Sequence, residues 1–561
     1  MKITLGICNG QTSSACIFLG GKLKFAVSEE RFTRVKMDSS FPKNSINFLL
    51  KKMKLKSLKE IDKVSYSWSK GFDPNLSKLL TKRIKLEEKL NPRNKNIFFE
   101  RLKWEINRDQ KKRLEFFNWV KNKKLEKKLD TFYHHEAHAL SATLPSTFSK
   151  AICITSDARG DFESTVVWQF NRRKKNPLKK LYSSLSNDSL GFFYARITGL
   201  LGFKPNRHEG KITGLAAYGN PKKTINLMSK MIDFNKYRII ANNGKFYKPF
   251  FGPYSNYLKS EIKKYKAEDI AAGAQKHLET IIKKLIKKHI SKKKPSNLCL
   301  AGGVFSNTKL NEIVKNLKGV QKVFIQPQMN DGGLCIGAAA GSIHKLGKTV
   351  YPMTTCNLGY ENSKKKINFL KKKNDLVEIY ENKVNCLVKF LKKGFVVGFV
   401  KGPMEFGPRA LLNRSIIFKT SDVSANLWLN KRLKRTEFMP FAPVTTTELA
   451  KKCFVNFDKK DTTFKFMTST TKCTNLFKEK CPAVCHVDGT ARPQVVSKSD
   501  DKFIHSLITK WEKNTGELSL INTSFNTHEE PIVRSYEDAI NELKKKIIDV
   551  LILEKRIFVL N

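Results

Sequence analysis

Two consecutive stretches near the middle of the chain constrain its fold most. Residues 297–317, NLCLAGGVFSNTKLNEIVKNL, pass from an apolar strand pattern through a glycine turn into a helical pattern. Residues 322–347, KVFIQPQMNDGGLCIGAAAGSIHKLG, repeat that order. Strand, turn and helix in succession, twice, specify an α/β architecture. The same class of pattern returns at GFVVGFVKGPMEFGPRALLNRSI (394–416), which opens a second α/β region running to the end of the chain. At the start, KITLGICNG reads as a strand, and SACIFLGGKLKFAVSEE as a hairpin turning at Gly20-Gly21. AICITSD (151–157) and STVVWQF (164–170) are strands with a turn expected at Arg159-Gly160, and residues 268–290 form a long amphipathic helix. Between these, about residues 50–130 carry charged amphipathic helices and read as an inserted helical cap. A linker is expected near 345–370. No repeat of 20–50 residues occurs.

Composition narrows the class. A length of 561 residues suggests about three or four domain-sized units. Forty per cent hydrophobic and 11% aromatic residues are enough to bury real cores. No run of about 18 apolar residues occurs, and the N-terminus lacks the long apolar segment of a signal peptide. Neither membrane insertion nor secretion is expected. Eleven scattered cysteines fit reduced thiols in a cytoplasm. The net charge of +56 admits nucleic acid as a partner. It is carried by lysines spread over every region rather than by arginines and aromatics on one face. A solvated cationic surface is therefore the preferred reading.

Several stretches could carry chemistry. TFYHHEAHALSATLPSTF (131–148) holds three of the ten histidines. In a helix His134 and His138 are i and i+4 and share a face, which suits one metal ion; a histidine-rich helix end is the alternative. Asp157 and Asp331 both end strands, and Asp331 could equally cap a helix or meet a magnesium nucleotide. Two imidazoles with two carboxylates suit iron, zinc or manganese better than magnesium or calcium. Gly302 and Gly303 could bring backbone amides to a phosphate, or merely make a tight turn. Three C-terminal loops are rich in arginine, hydroxyl and amide groups: residues 401–415 with Arg409 and Arg414, residues 486–496 with His486, Asp488, Thr490 and Arg492, and residues 520–533 with Asn522, Ser524 and Asn526. Together they read as an oxyanion- and phosphate-handling pocket; ordinary turn chemistry is the alternative for each. Cys473, Cys481, Cys485 and His486 lack the spacing of a structural zinc site.

Nine stretches together resemble the O-carbamoyltransferases typified by NodU and CmcH. They are SEERFTRVK (28–36), HHEAHALSA (134–142), SLGFFYARITGLLGF (189–203), EGKITGLAAYG (209–219), LAGGVFSN (300–307), MEFGPRALLNRSI (404–416), FMPFAP (438–443), HVDGTARPQ (486–494) and NTSFNTHEEPIV (522–533). The resemblance implies an actin-like, duplicated RNase-H-like ATPase-type domain over residues 1–355, including the helical insert, and a YrdC-like α/β domain over 370–561. It implies that carbamoyl phosphate and ATP, with magnesium, give carbamoyl-adenylate. The carbamoyl group then passes to a hydroxyl of a small molecule, a sugar or secondary metabolite. It implies a divalent metal, iron first and zinc or manganese next, on His134, His138, Asp157 and Asp331. Arg409, Arg414, Arg435 and Gln11 take catalytic positions. Lys211, Gly214, Gly302, Gly303, Asn307, Lys434, His486, Thr490, Arg492, Asn522, Ser524 and Asn526 take nucleotide or carbamoyl phosphate positions.

The chain departs from the pattern twice. Gln11 and Thr12 stand where the family often has a histidine followed by Asp or Asn, and glutamine cannot take a proton. In LKRTE (433–437), Arg435 supplies the family's arginine while its lysine is displaced onto Lys434. Two other readings compete: an RNA-modifying enzyme of the tRNA carbamoylation type, which the charge favours, and a nucleotide-binding member that has lost catalysis, which Gln11 suggests. A homodimer is left open.

Overall fold

The computed structural model describes all residues except 1, 70, 72, 74–75, 91–94, 236, 244, 247–253, 292 and 436–439. Positions 438–439 of the FMPFAP stretch and 436–437 of LKRTE thus lie outside the described residues. The chain divides into two units where its length suggested three or four: Met1–Glu29 with Ser39–Met353, and Glu30–Asp38 with Thr354–Asn561.

The first unit is built on two five-stranded sheets. In one, strands Ile3–Cys8, Ser14–Leu19 and Lys22–Ser28 form an antiparallel meander. Its hairpin turns at Gly20 and Gly21, both at positive φ as a two-residue turn of this kind requires. Lys63–Tyr66 and then Leu129–Thr131 add in parallel beyond Ile3–Cys8. In the other sheet, Lys150–Gly160, Glu163–Asn171 and Leu178–Leu185 form the meander. Ser296–Ala301 and Val320–Ile325 add in parallel beyond Lys150–Gly160. Order and direction are the same in both sheets.

Each sheet's last strand leads into a buried helix: His134–Thr143 after the first, Leu334–Lys345 after the second. The two helices approach so closely that a β-carbon at Gly337 would strike the Ala137 carbonyl. Helix Ala267–His289 lays its apolar face against the second sheet, where Ile281, Ile282 and Leu285 join Ile154, Leu298 and Leu300 in one core. That burial, at about 25 cal/mol per Å² of apolar surface, is what orders a helix so rich in lysine on its other face.

Three sequence expectations are corrected in this unit and the next. The helical cap does not begin at residue 50, because Lys63–Tyr66 is a strand inside the first sheet. Its apolar residues are too few to stand out from the lysine-rich flanks. The insert proper is the helices Leu76–Leu90 and Lys95–Asn122. The turn expected at Arg159-Gly160 lies at Asp161-Phe162, both left-handed (φ 49° and 65°) although neither is glycine. Residues 354–361 are not a free linker. Asn357 bridges Glu405, Leu358 donates to the Met404 carbonyl, and Met404 donates to the Tyr360 carbonyl, so the stretch is tied to the second unit.

The second unit holds a mixed eight-stranded sheet. Across it run Leu376–Ile379, Arg556–Leu560, Val550–Leu553, Val397–Val400, Arg414–Lys419, Leu520–Ser524, Ala442–Thr446 and Gln494–Val496. Its core includes Phe399, Ile416, Leu520, Trp511 and Leu551. Arg34 of the short segment 30–38 donates to the Pro531 and Ile532 carbonyls, 2.8 Å each.

Candidate metal centre

In the first unit, His134, His138, Asp157 and Asp331 are brought from three stretches far apart in sequence so that their ligand atoms lie within 4.8 Å of one another. The helix at residue 134 begins on a histidine. Its position-four spacing puts both rings side by side, centroids 4.7 Å apart. Asp157 lies near the end of the first strand of the second sheet, and Asp331 in the turn before the last helix. His138 Nε2 is 3.1 Å from Asp157 Oδ2 and 3.8 Å from Asp331 Oδ1; His134 Nε2 is 3.8 Å from the same Asp331 oxygen.

Backbone amides hold the carboxylates in place. Asp157 accepts from the Ala158 N–H (2.6 Å) and the Gly303 N–H (3.2 Å), and Asp331 from the Gln11 N–H (2.8 Å). A β-carbon at Gly160 would run into the His134 ring, so glycine alone fits there. Asp161, in the strained turn, accepts from the His134 backbone N–H (2.7 Å) and pairs with Arg113 of the insert. Left-handed backbone at a non-glycine residue costs about 1 kcal/mol, and here it aims a carboxylate at the start of the histidine helix.

Electrostatics favours a neutral His134 ring. Burial, then the charges of His138 and His135, hold His134 well below the usual histidine range, and a position at a helix N-terminus acts the same way. Burial raises Asp157, but the hydrogen bond and charge of His138 outweigh it and keep that carboxyl ionised. Burial and the Asp157 charge push Asp331 up to about 7. A carboxylate pair that resists full ionisation is relieved by a cation between its members.

The donor set fits a metal. Both rings are fully buried, yet His134 Nδ1 and Nε2 and His138 Nδ1 have no hydrogen-bond partner among the described residues. A buried polar atom left unsatisfied costs about 1–3 kcal/mol, which a metal–nitrogen bond would offset. Two nitrogen and two oxygen donors suit iron, zinc or manganese. His135 points elsewhere, its Nδ1 2.9 Å from Thr155 Oγ1. The cysteines near residues 473–485 do not assemble into a metal group among the described residues.

The other candidates of the first unit are bonded within the fold at several separate places. Gln11 contributes its backbone; its side chain belongs to an exposed residue. Gly303 gives its N–H to Asp157, and Gly302 gives its own to the Met329 carbonyl (2.7 Å), so both amides of that turn are committed within the fold rather than open to a phosphate. Asn307 caps the helix Thr308–Lys315 and donates to Gln275 Oε1 (2.7 Å), which also accepts from Tyr194; Tyr194 meets Thr213, the neighbour of Gly214. Lys211 Nζ lies 2.9 Å from His208.

In the second unit the three flagged loops meet. Asn522 Nδ2 donates to Gln494 Oε1 (2.7 Å) and the Ala410 carbonyl (3.2 Å), linking all three. Arg435 reaches Thr523 Oγ1 (2.9 Å) and Ser524 Oγ (3.2 Å). Burial, then the charge of Arg492, holds Arg409 well below its ordinary value; burial pushes Arg492 down to about 10. Two desolvated guanidiniums within electrostatic reach of each other could receive an anion. Arg414, expected at a catalytic position, is fully buried, and its guanidinium donates to the carbonyls of Arg534, Lys401, Gly402, Asn413 and Tyr360. These bonds make it a strut that holds its loop against the strand Arg414–Lys419 and its surroundings. Thr490 and His486 close a turn with Asp488, Asn526 ties its own loop, and Lys434 is exposed. Gln494, Asp161 and Arg113 were not singled out in the sequence; the acid-base-glycine run DARGD (157–161) was the available signal for Asp161.

Residues 4–340 match the family model described as the carbamoyltransferase N-terminus, and residues 388–559 match that of the carbamoyltransferase C-terminus. An uncharacterized protein of Methanocaldococcus jannaschii, MJ1051, is 32% identical and covers 98% of both chains. Nodulation protein NolNO of Sinorhizobium fredii is 29% identical over 96% of this chain and 78% of that protein. Nodulation protein U of Rhizobium tropici is 31% identical over 42% of this chain and 39% of its own. Among solved structures, full-length HypF in its phosphate- and nucleotide-bound form is 21% identical, covering 32% of this chain and 22% of that chain at a TM-score of 0.22, a local likeness only.

Proposed function

The chain belongs to the carbamoyltransferase family and is a carbamoyltransferase, and from that premise we propose that it transfers a carbamoyl group, activated by ATP as carbamoyl-adenylate, to a hydroxyl of a small molecule. Carbamoyl phosphate loses its phosphate to water. The carbamate oxygen so freed attacks the α-phosphorus of ATP and expels pyrophosphate. The acceptor hydroxyl then attacks the carbamoyl carbon and expels AMP.

Activation falls to the second unit. Arg409, Arg492 and Arg435 bind and orient the phosphates, and their desolvated charge stabilises the negative charge that develops at phosphorus. Asn522, whose Oδ1 has no partner among the described residues, fixes the geometry of the loops that carry them. Transfer falls to the first unit, whose repeated sheet order supports an actin-like, duplicated RNase-H-like reading. His134, His138, Asp157 and Asp331 would hold a divalent metal there, which supplies Lewis-acid polarisation of a carbamoyl or phosphate oxygen. Gln11 orients Asp331 through its backbone and takes no proton. The departing AMP phosphate, with a second ionisation near about 6, is the natural acceptor of the hydroxyl proton.

The observation that carries this reading is the gathering of two buried imidazoles with unpartnered nitrogens and two carboxylates at one point. The test is acceptor-free pyrophosphate release from carbamoyl phosphate and ATP. Release is expected from the metal-loaded protein and not from Arg409→Ala or Arg492→Ala. No release from folded wild-type protein contradicts the proposal.

A further inference from the structure

The insert helix Lys95–Asn122 brings a second group of arginines beside the metal centre. Trp104 is its hub. The guanidiniums of Arg101, Arg108 and Arg159 lie 4.8, 5.3 and 5.2 Å from the Trp104 ring. Arg101 also sits 4.4 Å over Phe192, and Arg196 lies 5.7 Å from that same ring. Arg101 and Arg196 are both 1% exposed. Arg101 pairs with Glu105 and Arg159 with Asp109 (2.8 Å each). Arg108 makes no ion pair among the described residues. Burial, and then the charge of Arg159, weighs against the proton on Arg101 in spite of Glu105. The aromatic faces hold these like charges together.

The placement is specific. Arg159 lies two residues beyond Asp157 and one before Gly160, and Arg108 and Arg159 both lie within electrostatic reach of Asp331. A dense, partly buried set of guanidiniums on planar supports recognises phosphate or carboxylate. The proposed phosphate-handling arginines of activation, Arg409 and Arg492, are a different set in the other unit. A second cationic site next to the point of transfer calls for a second anion.

We propose that the Trp104 arginine cluster binds an anionic group, phosphate or carboxylate, carried by the carbamoyl acceptor. The assignment to the acceptor rests on the carbamoyl-transfer reading above. It makes the insert the specificity element: a neutral sugar leaves Arg108 without an ion-pair partner, whereas a sugar phosphate or uronic acid engages it.

The experiment uses the full-length, metal-loaded protein and calorimetric titration with glucose, glucose 6-phosphate and glucuronate. Carbamoyl phosphate is titrated in parallel. The anionic sugars are expected to bind at least about tenfold more tightly than glucose, and Arg108→Leu to remove most of that preference, with Arg108→Lys keeping part of it. Arg108 is exposed, so the variant folds; an unchanged thermal transition checks this. Equal affinity for glucose and its phosphate, or a preference untouched in Arg108→Leu, overturns the proposal. Weaker binding of carbamoyl phosphate alone in Arg108→Leu assigns the anion to the donor and also overturns it. Acceptor-free pyrophosphate release is scored separately. Its absence from the wild type defeats the carbamoylation reading and the acceptor assignment, while an Arg108-dependent preference would still stand as an anion site.

Discussion

The two halves of the first unit share one sheet order and contribute different chemistry. In the first sheet, Cys8 pairs with Ser14 and is followed by Asn9; in the second, Ser156 pairs with Thr165 and is followed by Asp157. Asn9 and Asp157 therefore hold corresponding positions. Asn9 is spent inside the fold: its Oδ1 accepts from the Tyr66 hydroxyl (2.7 Å) and its Nδ2 donates to the Lys112 carbonyl (3.0 Å) of the insert. Asp157 turns to His138 instead. The helices that follow the last strands differ likewise. One opens with two imidazoles, the other is preceded by Asp331. The scaffold is repeated, and the metal centre forms because each half supplies what the other lacks.

That contrast can be tested by substituting equivalent positions. Asp157→Asn should lower metal affinity by more than about 100-fold, measured by competition with a chelating dye, since it removes a donor rather than one of its supports. Arg113→Leu leaves the buried Asp161 carboxylate uncompensated and should cost about 3–5 kcal/mol in denaturant unfolding. Gly160→Ala forces the His134 ring aside. It should cost about 1–3 kcal/mol and weaken metal binding as well. Asn9→Ala, at the position matching Asp157, should cost about 1–3 kcal/mol through its lost hydrogen bonds while metal affinity stays as in the wild type. If Asn9→Ala and Asp157→Asn affected metal binding alike, the division of labour between the halves would be wrong.

The sequence disclosed the elements better than their assembly. The Gly20-Gly21 hairpin and the two strand–turn–helix stretches were legible because local pattern and turn chemistry agree there. The strand Lys63–Tyr66 was not, because its apolar residues are buried by neighbours remote in sequence. The turn at Asp161-Phe162 was hidden because nothing local favours left-handed backbone there; the reason is the salt bridge to Arg113 and the hydrogen bond from His134. The repeat of the two sheets lies in topology and leaves no residue periodicity. At the site, the spacing of His134 and His138 announced a shared face, whereas Asp157 and Asp331, as strand-end carboxylates, were open to other roles until the family resemblance assigned them to the same metal. Arg414 shows what a motif cannot disclose: its guanidinium is fully buried and bonded to five backbone carbonyls, which only the assembled fold reveals.

The most direct test is elemental analysis with X-ray absorption of the purified wild-type protein. The account predicts about one equivalent of iron, zinc or manganese per chain, coordinated by nitrogen and oxygen only, and lost in Asp157→Asn. A protein that binds no such metal, or one whose metal is ligated by sulfur and survives Asp157→Asn, would contradict it.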